Sequence, residues 1–77
     1  MPQAINDAQK ELLKKLGERV SNIRKEKGLT LEQVSFVTGK DRQSIHKLEK
    51  GTFNPSYIYL IDVCKGLDIS MKYLFDF

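Results

Sequence analysis

The chain has 77 residues, 40% hydrophobic and 30% charged, with a formal net charge of +3. That length accommodates one domain, residues 1–77, and the composition suits a folded globule, not a disordered segment. There is no apolar run of about 20 residues to span a membrane. The opening MPQAINDAQKELLKK also lacks the apolar middle of a signal peptide, so a cytoplasmic protein is expected.

A domain this small buries only about 60% of its unfolded-chain surface. It can carry a binding face more readily than a deep catalytic cavity. Cys64 has no second cysteine to bridge and sits in the apolar stretch LIDVC, where a thiol acts as a small hydrophobe. One His and one Cys far apart provide no zinc ligand set, and no metal or cofactor is implied.

Asn6, with Gln9 three residues on, can cap a first helix of about 6–27. Its apolar positions Ala8, Leu12, Leu16, Val20 and Ile23 form a stripe that Leu13 widens, and Gly28 is placed to end it. Residues 1–15 read as an N-terminal extension of this helix. Thr30-Leu-Glu-Gln33 is a capping-box pattern for a helix of about 31–38, in which Leu31, Val34, Ser35 and Thr38 share a face. The small residues Ser35 and Thr38 permit close approach of a neighbour. Gly39 makes a turn and Asp41 can cap a third helix of about 42–50, closed by Gly51.

At about 100° per residue, Ile45 and Leu48 fall on one side of this third helix. Arg42, Gln43, His46, Lys47 and Lys50 fall nearly opposite, with Ser44 and Glu49 at the borders. The outer edge is thus a row of groups able to meet base edges: Arg or Lys addresses guanine O6 and N7, and Gln pairs with adenine N6 and N7. Ordinary solvated side chains would also face outward, but they do not account for two tightly capped short helices around a glycine turn. Ser56 then caps a helix of about 56–66. There Leu60, Val63 and Leu67, or Ile58, Ile61 and Cys64, are at helical spacing, and Gly66 weakens the end. Ser70 starts a last short helix of about 70–75. The expectation is an all-α, compact five-helix bundle.

From about Leu16 to Phe75 the sequence resembles the lambda-repressor-like helix-turn-helix family, of the Cro and phage-repressor type. The resemblance rests on Gly28-Leu29-Thr30 before the first motif helix, the turn Gly39, the string Leu48-Glu49-Lys50-Gly51, and Pro55-Ser56. It implies a small transcriptional regulator, a repressor or autoregulator, in the cytoplasm of a bacterial or phage-type system and associated with the nucleoid. Arg42, Gln43 and Lys47 resemble base readers, with Ser44 and His46 touching backbone or a thymine methyl. Lys50, Thr52 and Asn54 match a phosphate-gripping segment, and Arg24 and Glu49 match an ion pair between the first and third helices.

Two positions depart from the family. Leu31 stands where a phosphate-binding Gln is frequent, and Lys40 where a small apolar residue is usual. Lys40 is either a substitute phosphate contact or a solvated lysine. Regulators of this type dimerise on near-palindromic sites, and the chain shows no second domain for the purpose. Residues 71–77 are therefore the candidate dimerisation tail, with Leu74, Phe75 and Phe77 as interface candidates; Met71 and Leu74 also suit closing the core. Ile5, Leu12 and Leu13 form a second candidate surface. A different class of function is a protein-interaction module, such as an antitoxin component that sequesters a partner protein. An enzyme is not expected: Asp41, Ser44 and His46 are triad residue types, but they lie along one helix and cannot converge on a substrate atom.

Overall fold

The computed structural model describes residues 5–77 and contains five helices: α1 (Asp7–Glu26), α2 (Leu31–Thr38), α3 (Arg42–Lys50), α4 (Tyr57–Leu67) and α5 (Met71–Leu74). Each is opened by a polar side chain that accepts from an amide of the first turn: Asn6, Thr30, Asp41, Ser56 and Ser70. The pairs Asn6/Gln9 and Thr30/Gln33 are reciprocal capping boxes. Such caps satisfy amides that have no intrahelical partner, and each is worth about 1 kcal/mol.

The core draws on all five helices: Leu16, Val20 and Ile23 of α1, Val34 of α2, Ile45 and Leu48 of α3, Leu60, Val63, Cys64 and Leu67 of α4, and Leu74 of α5. Cys64 is buried as expected, and its Sγ–H donates to Met71 Sδ at 3.4 Å. Burial pushes its thiol pKa up, which leaves the group unreactive.

Two glycines inside helices set the spacing. A Cβ on Gly17 would lie 2.6 Å from the Glu49 carbonyl oxygen and closer still to that of Leu48, so α1 and α3 meet backbone to backbone. On Gly66 a Cβ would fall 2.7 Å from Thr38 Cα, which brings α4 onto the end of α2.

The structure corrects several sequence expectations. The first half of the α1 stripe lies outside the core: Ala8 and Leu12 are exposed, because among the described residues the other helices pack against α1 mainly from Leu13 onward. Helix α4 passes through Gly66 and is capped by Asp68 in the left-handed conformation, with Ile69 N–H bonded to Cys64 O at 2.9 Å. A glycine in a helix costs roughly 0.5–1 kcal/mol against Ala, and contact with α2 offsets it here. Of the two stripes read for α4, Leu60, Val63 and Leu67 are buried, whereas Ile58 is exposed. Leu74 is fully buried, so it closes the core and cannot meet a partner; it is removed from the interface candidates.

Candidate nucleic-acid interface

Helix α3 is fastened along one edge and open along the other. Ile45 and Leu48 are inaccessible to solvent, while Arg42, Gln43, His46, Lys47 and Lys50 are exposed. Gly51, at φ +75°, ends the helix and lies close against the backbone of Lys14 in α1. Only glycine combines that torsion with that contact.

The helix is oriented by an ion pair with α1. Arg24 Nε donates to Glu49 Oε2 at 2.7 Å and Nη2 to Oε1 at 3.1 Å; Nη1 reaches the Leu29 carbonyl at 2.9 Å. Side-chain exposures of 15% and 9% make the pair largely desolvated, and Glu49 holds the Arg24 guanidinium pKa above its ordinary value. A planar bidentate pair fixes rotation as well as distance, so the outward edge of α3 has a defined bearing on the body.

The turn before α3 is locked by side chains. Gly39 is left-handed at φ +71°, and its N–H bonds to Ser35 O at 3.0 Å. Ser35 Oγ donates to the Lys40 carbonyl, Thr38 Oγ1 donates to Val34 O at 2.7 Å, and the Lys40 amide donates to Thr38 Oγ1 at 3.3 Å. The two residues read as merely small therefore also satisfy the turn.

A second network ties the start of α3 to α4. Ser44 Oγ is 3.0 Å from Asp41 O, to which it donates, and shares a 2.7 Å hydrogen bond with Tyr59 OH. Tyr59 packs edge-on against Phe53, with centroids 5.0 Å apart. Lys40 Nζ lies 5.0 Å from the Tyr59 ring centroid and 2.8 Å from Asp62 Oδ2. Burial pushes the Tyr59 phenol pKa up; the hydrogen bond from Lys40 holds that of Asp62 below its ordinary range. Lys40 is thus neither a solvated lysine nor a free phosphate contact in this structure. It is paired, because α4 presents a carboxylate and a ring face that the sequence alone does not align with it. Ser44 likewise has its hydroxyl engaged within the protein. Tyr59 and Asp62 were not singled out from the sequence; the fold brings them to α3.

Among the described residues, neither ion pair includes Arg42, Lys47 or Lys50. Arg42, Gln43, His46 and Lys47 line one shallow depression of about 370 Å³, together with Leu31. Thr52 follows directly, its amide bonded to Lys47 O at 3.1 Å and its hydroxyl to the same oxygen at 3.3 Å. Asn54 is exposed, at the wall of a separate apolar depression of about 380 Å³ shared with Leu12, Leu13, Pro55, Phe75 and Phe77. No group of His, Cys, Asp and Glu suited to a metal ion occurs among the described residues.

This arrangement of two short helices around a locked turn defines a helix-turn-helix protein, a class of DNA-binding regulator. The profile of the family described as Helix-turn-helix matches residues 20–74, and the chain belongs to that family. It is similar to an uncharacterized HTH-type transcriptional regulator, y4dJ, of Sinorhizobium fredii, at 35% identity over 60 residues and 78% of each chain. It is also similar to YgzD of Bacillus subtilis, another uncharacterized HTH-type transcriptional regulator, at 28% identity over 57 residues, covering 74% of this chain and 86% of that one. Among solved structures, the restriction-modification controller protein C.AhdI from Aeromonas hydrophila superposes with a TM-score of 0.79 at 35% identity, covering 82% of this chain and 96% of that chain. The wild-type controller protein C.Esp1396I gives a TM-score of 0.78 at 32% identity, covering 84% and 86%. Family and all-helical fold are those expected from the sequence.

Proposed function

We propose that the chain represses or autoregulates transcription by binding a near-palindromic duplex site as a homodimer, with α3 in the major groove. The observation that carries this reading is the exposed polar edge of α3, held at a defined bearing by Arg24 and Glu49. Arg42, Gln43 and Lys47 read bases, and His46 borders the same depression. Lys50, Thr52 and Asn54 grip phosphate, which supplies affinity and register but no sequence choice. The solved restriction-modification controllers support a regulatory role for the fold.

The dimer surface in this reading is the apolar depression between α1 and the tail. Leu12, Phe75 and Phe77 are 58%, 44% and 53% exposed around it, and one chain leaves them uncovered. Residues 71–77 then serve as the dimerisation tail of a single 1–77 domain, placing two α3 helices about 34–36 Å apart, one turn of duplex.

Selection of duplexes from a random pool, followed by titration of Arg42→Ala, Gln43→Ala and Lys47→Ala, tests the assignment. Each substitution removes about 1–3 kcal/mol and relaxes preference at one position. Unchanged affinity and base preference in the triple variant would reject it. Capture of a partner protein that survives these changes but is lost with Phe75→Ser and Phe77→Ser, two exposed rings outside the core, would instead establish the sequestering reading.

A further inference from the structure

We propose that Leu31 makes the reading face selective for a pyrimidine 5-methyl group in the major groove, beside the base that Arg42 addresses. The inference rests on α3 being the recognition helix. To that reading it adds the one residue of the face that cannot hydrogen-bond.

Leu31 is the first residue of α2, and side chains in a helix lean toward its N-terminus. It therefore projects past the start of α2. Its inner side packs on the core and the residue is half-buried, so part of an apolar surface remains in water. Two depressions meet there. One, of about 370 Å³, is lined by Leu31 with Arg42, Gln43, His46 and Lys47. The other, of about 480 Å³, is lined by Leu31 and Arg42 with Arg24, Thr30 and Glu32. Leu31 and Arg42 border both, so the two side chains form the ridge between them.

Leucine offers nothing to a phosphate or to any polar base edge. The apolar group displayed in the major groove is the C5 methyl of thymine, and 5-methylcytosine shows the same group in the same place. Seating that methyl on Leu31 withdraws apolar surface of both partners from water, while the donors around it engage neighbouring base edges. Burial of one methyl corresponds to about fourfold in affinity.

The test uses the full chain and a duplex selected from a random pool. Each thymine is replaced in turn by deoxyuridine, which removes only the methyl. The unaltered protein should lose about fourfold at one thymine per half-site, and the same replacement should have no effect on Leu31→Ala. Leu31→Asn, close in size, serves as a second variant, with helical circular dichroism confirming that both fold. At that position cytosine is also compared with 5-methylcytosine. A preference for 5-methylcytosine over cytosine by the same factor confirms recognition of the methyl itself. Tighter binding of thymine, or of 5-methylcytosine, then assigns its source to unmodified or modified DNA. Uracil tolerated everywhere by the unaltered protein, or an equal loss in the Leu31 variants, overturns the proposal while leaving the α3 reading intact. Failure to select any duplex at low salt overturns both.

Discussion

The polar edge of α3 and the apolar groove beside the tail sit on one small core and use opposite chemistry. The first displays Arg42, Lys47 and Lys50 without ion-pair partners among the described residues; the second exposes Leu12, Phe75 and Phe77. Charges interact over distance, orient an approaching polyanion and are screened by salt. Apolar surface acts only on contact and in proportion to the area covered. Both are held by an arginine: Arg24 steadies α3 through Glu49, and Arg19 steadies the tail. The Arg19 guanidinium lies 4.5 Å from the Tyr73 ring centroid, and its Nη2 donates to Tyr73 O at 2.8 Å. The lesson is that a thin core can present two surfaces of opposite chemistry when each has its own lock.

Glu49→Ala attacks one lock directly and carries the largest expected effect. It leaves Arg24 largely buried without its partner, and unfolding in urea should show a loss of about 3–5 kcal/mol. Gly17→Ala forces α1 away from α3 and should cost about 1–3 kcal/mol by the same measurement. A smaller loss in either variant would mean that α3 is held mainly by Ile45 and Leu48. The two faces separate in the next comparison. Phe75→Ser with Phe77→Ser should halve the mass seen by sedimentation equilibrium, each buried ring being worth up to about 3 kcal/mol. Helical content should not change, since both rings are exposed in one chain. An unchanged mass would move the dimer surface elsewhere.

Lys50→Ala should leave the mass and base preference intact and reduce the log–log salt slope of DNA binding by about 1. An unaltered slope would take Lys50 off the phosphate path. The smallest effect is expected at Asp62. Its carboxyl titrates below the ordinary 3.8 because Lys40 donates to it, so the unfolded chain takes up the proton first as pH falls. The bridge stabilises above the ordinary value and is lost as pH drops through the lowered one. Asp62→Asn should therefore melt slightly below the unaltered protein at neutral pH and converge with it in acid. A constant offset across that range would show that the charge is not what matters.

Helix limits were the most legible feature of the sequence. Asn6, Thr30, Asp41, Ser56 and Ser70 cap as read, and Gly39 and Gly51 are left-handed where the turns require it. The outer edge of α3 was legible for the same reason: its angular order depends on backbone geometry alone. Residue fates that depend on a distant neighbour were not. Leu12 and Ile58 fit helical stripes yet stay exposed, and Leu74 lies inside the core. By sequence Gly66 weakens a helix end; in the fold it is the close contact of α4 with Thr38. Lys40 and Ser44 are, by sequence, candidates for DNA contact; Asp62 and Tyr59 of α4 engage both within the protein.

What the chain determined by itself was where each helix begins, where Gly39 and Gly51 close α2 and α3, and which side chains ride together on α3. Capping and helical phase act over three or four residues and need no partner. Tertiary structure alone decided which apolar residues are covered, where α1 and α4 approach their neighbours closely, and which polar groups are already engaged. Those outcomes are contacts between segments far apart in sequence, and they come into being only when the helices pack.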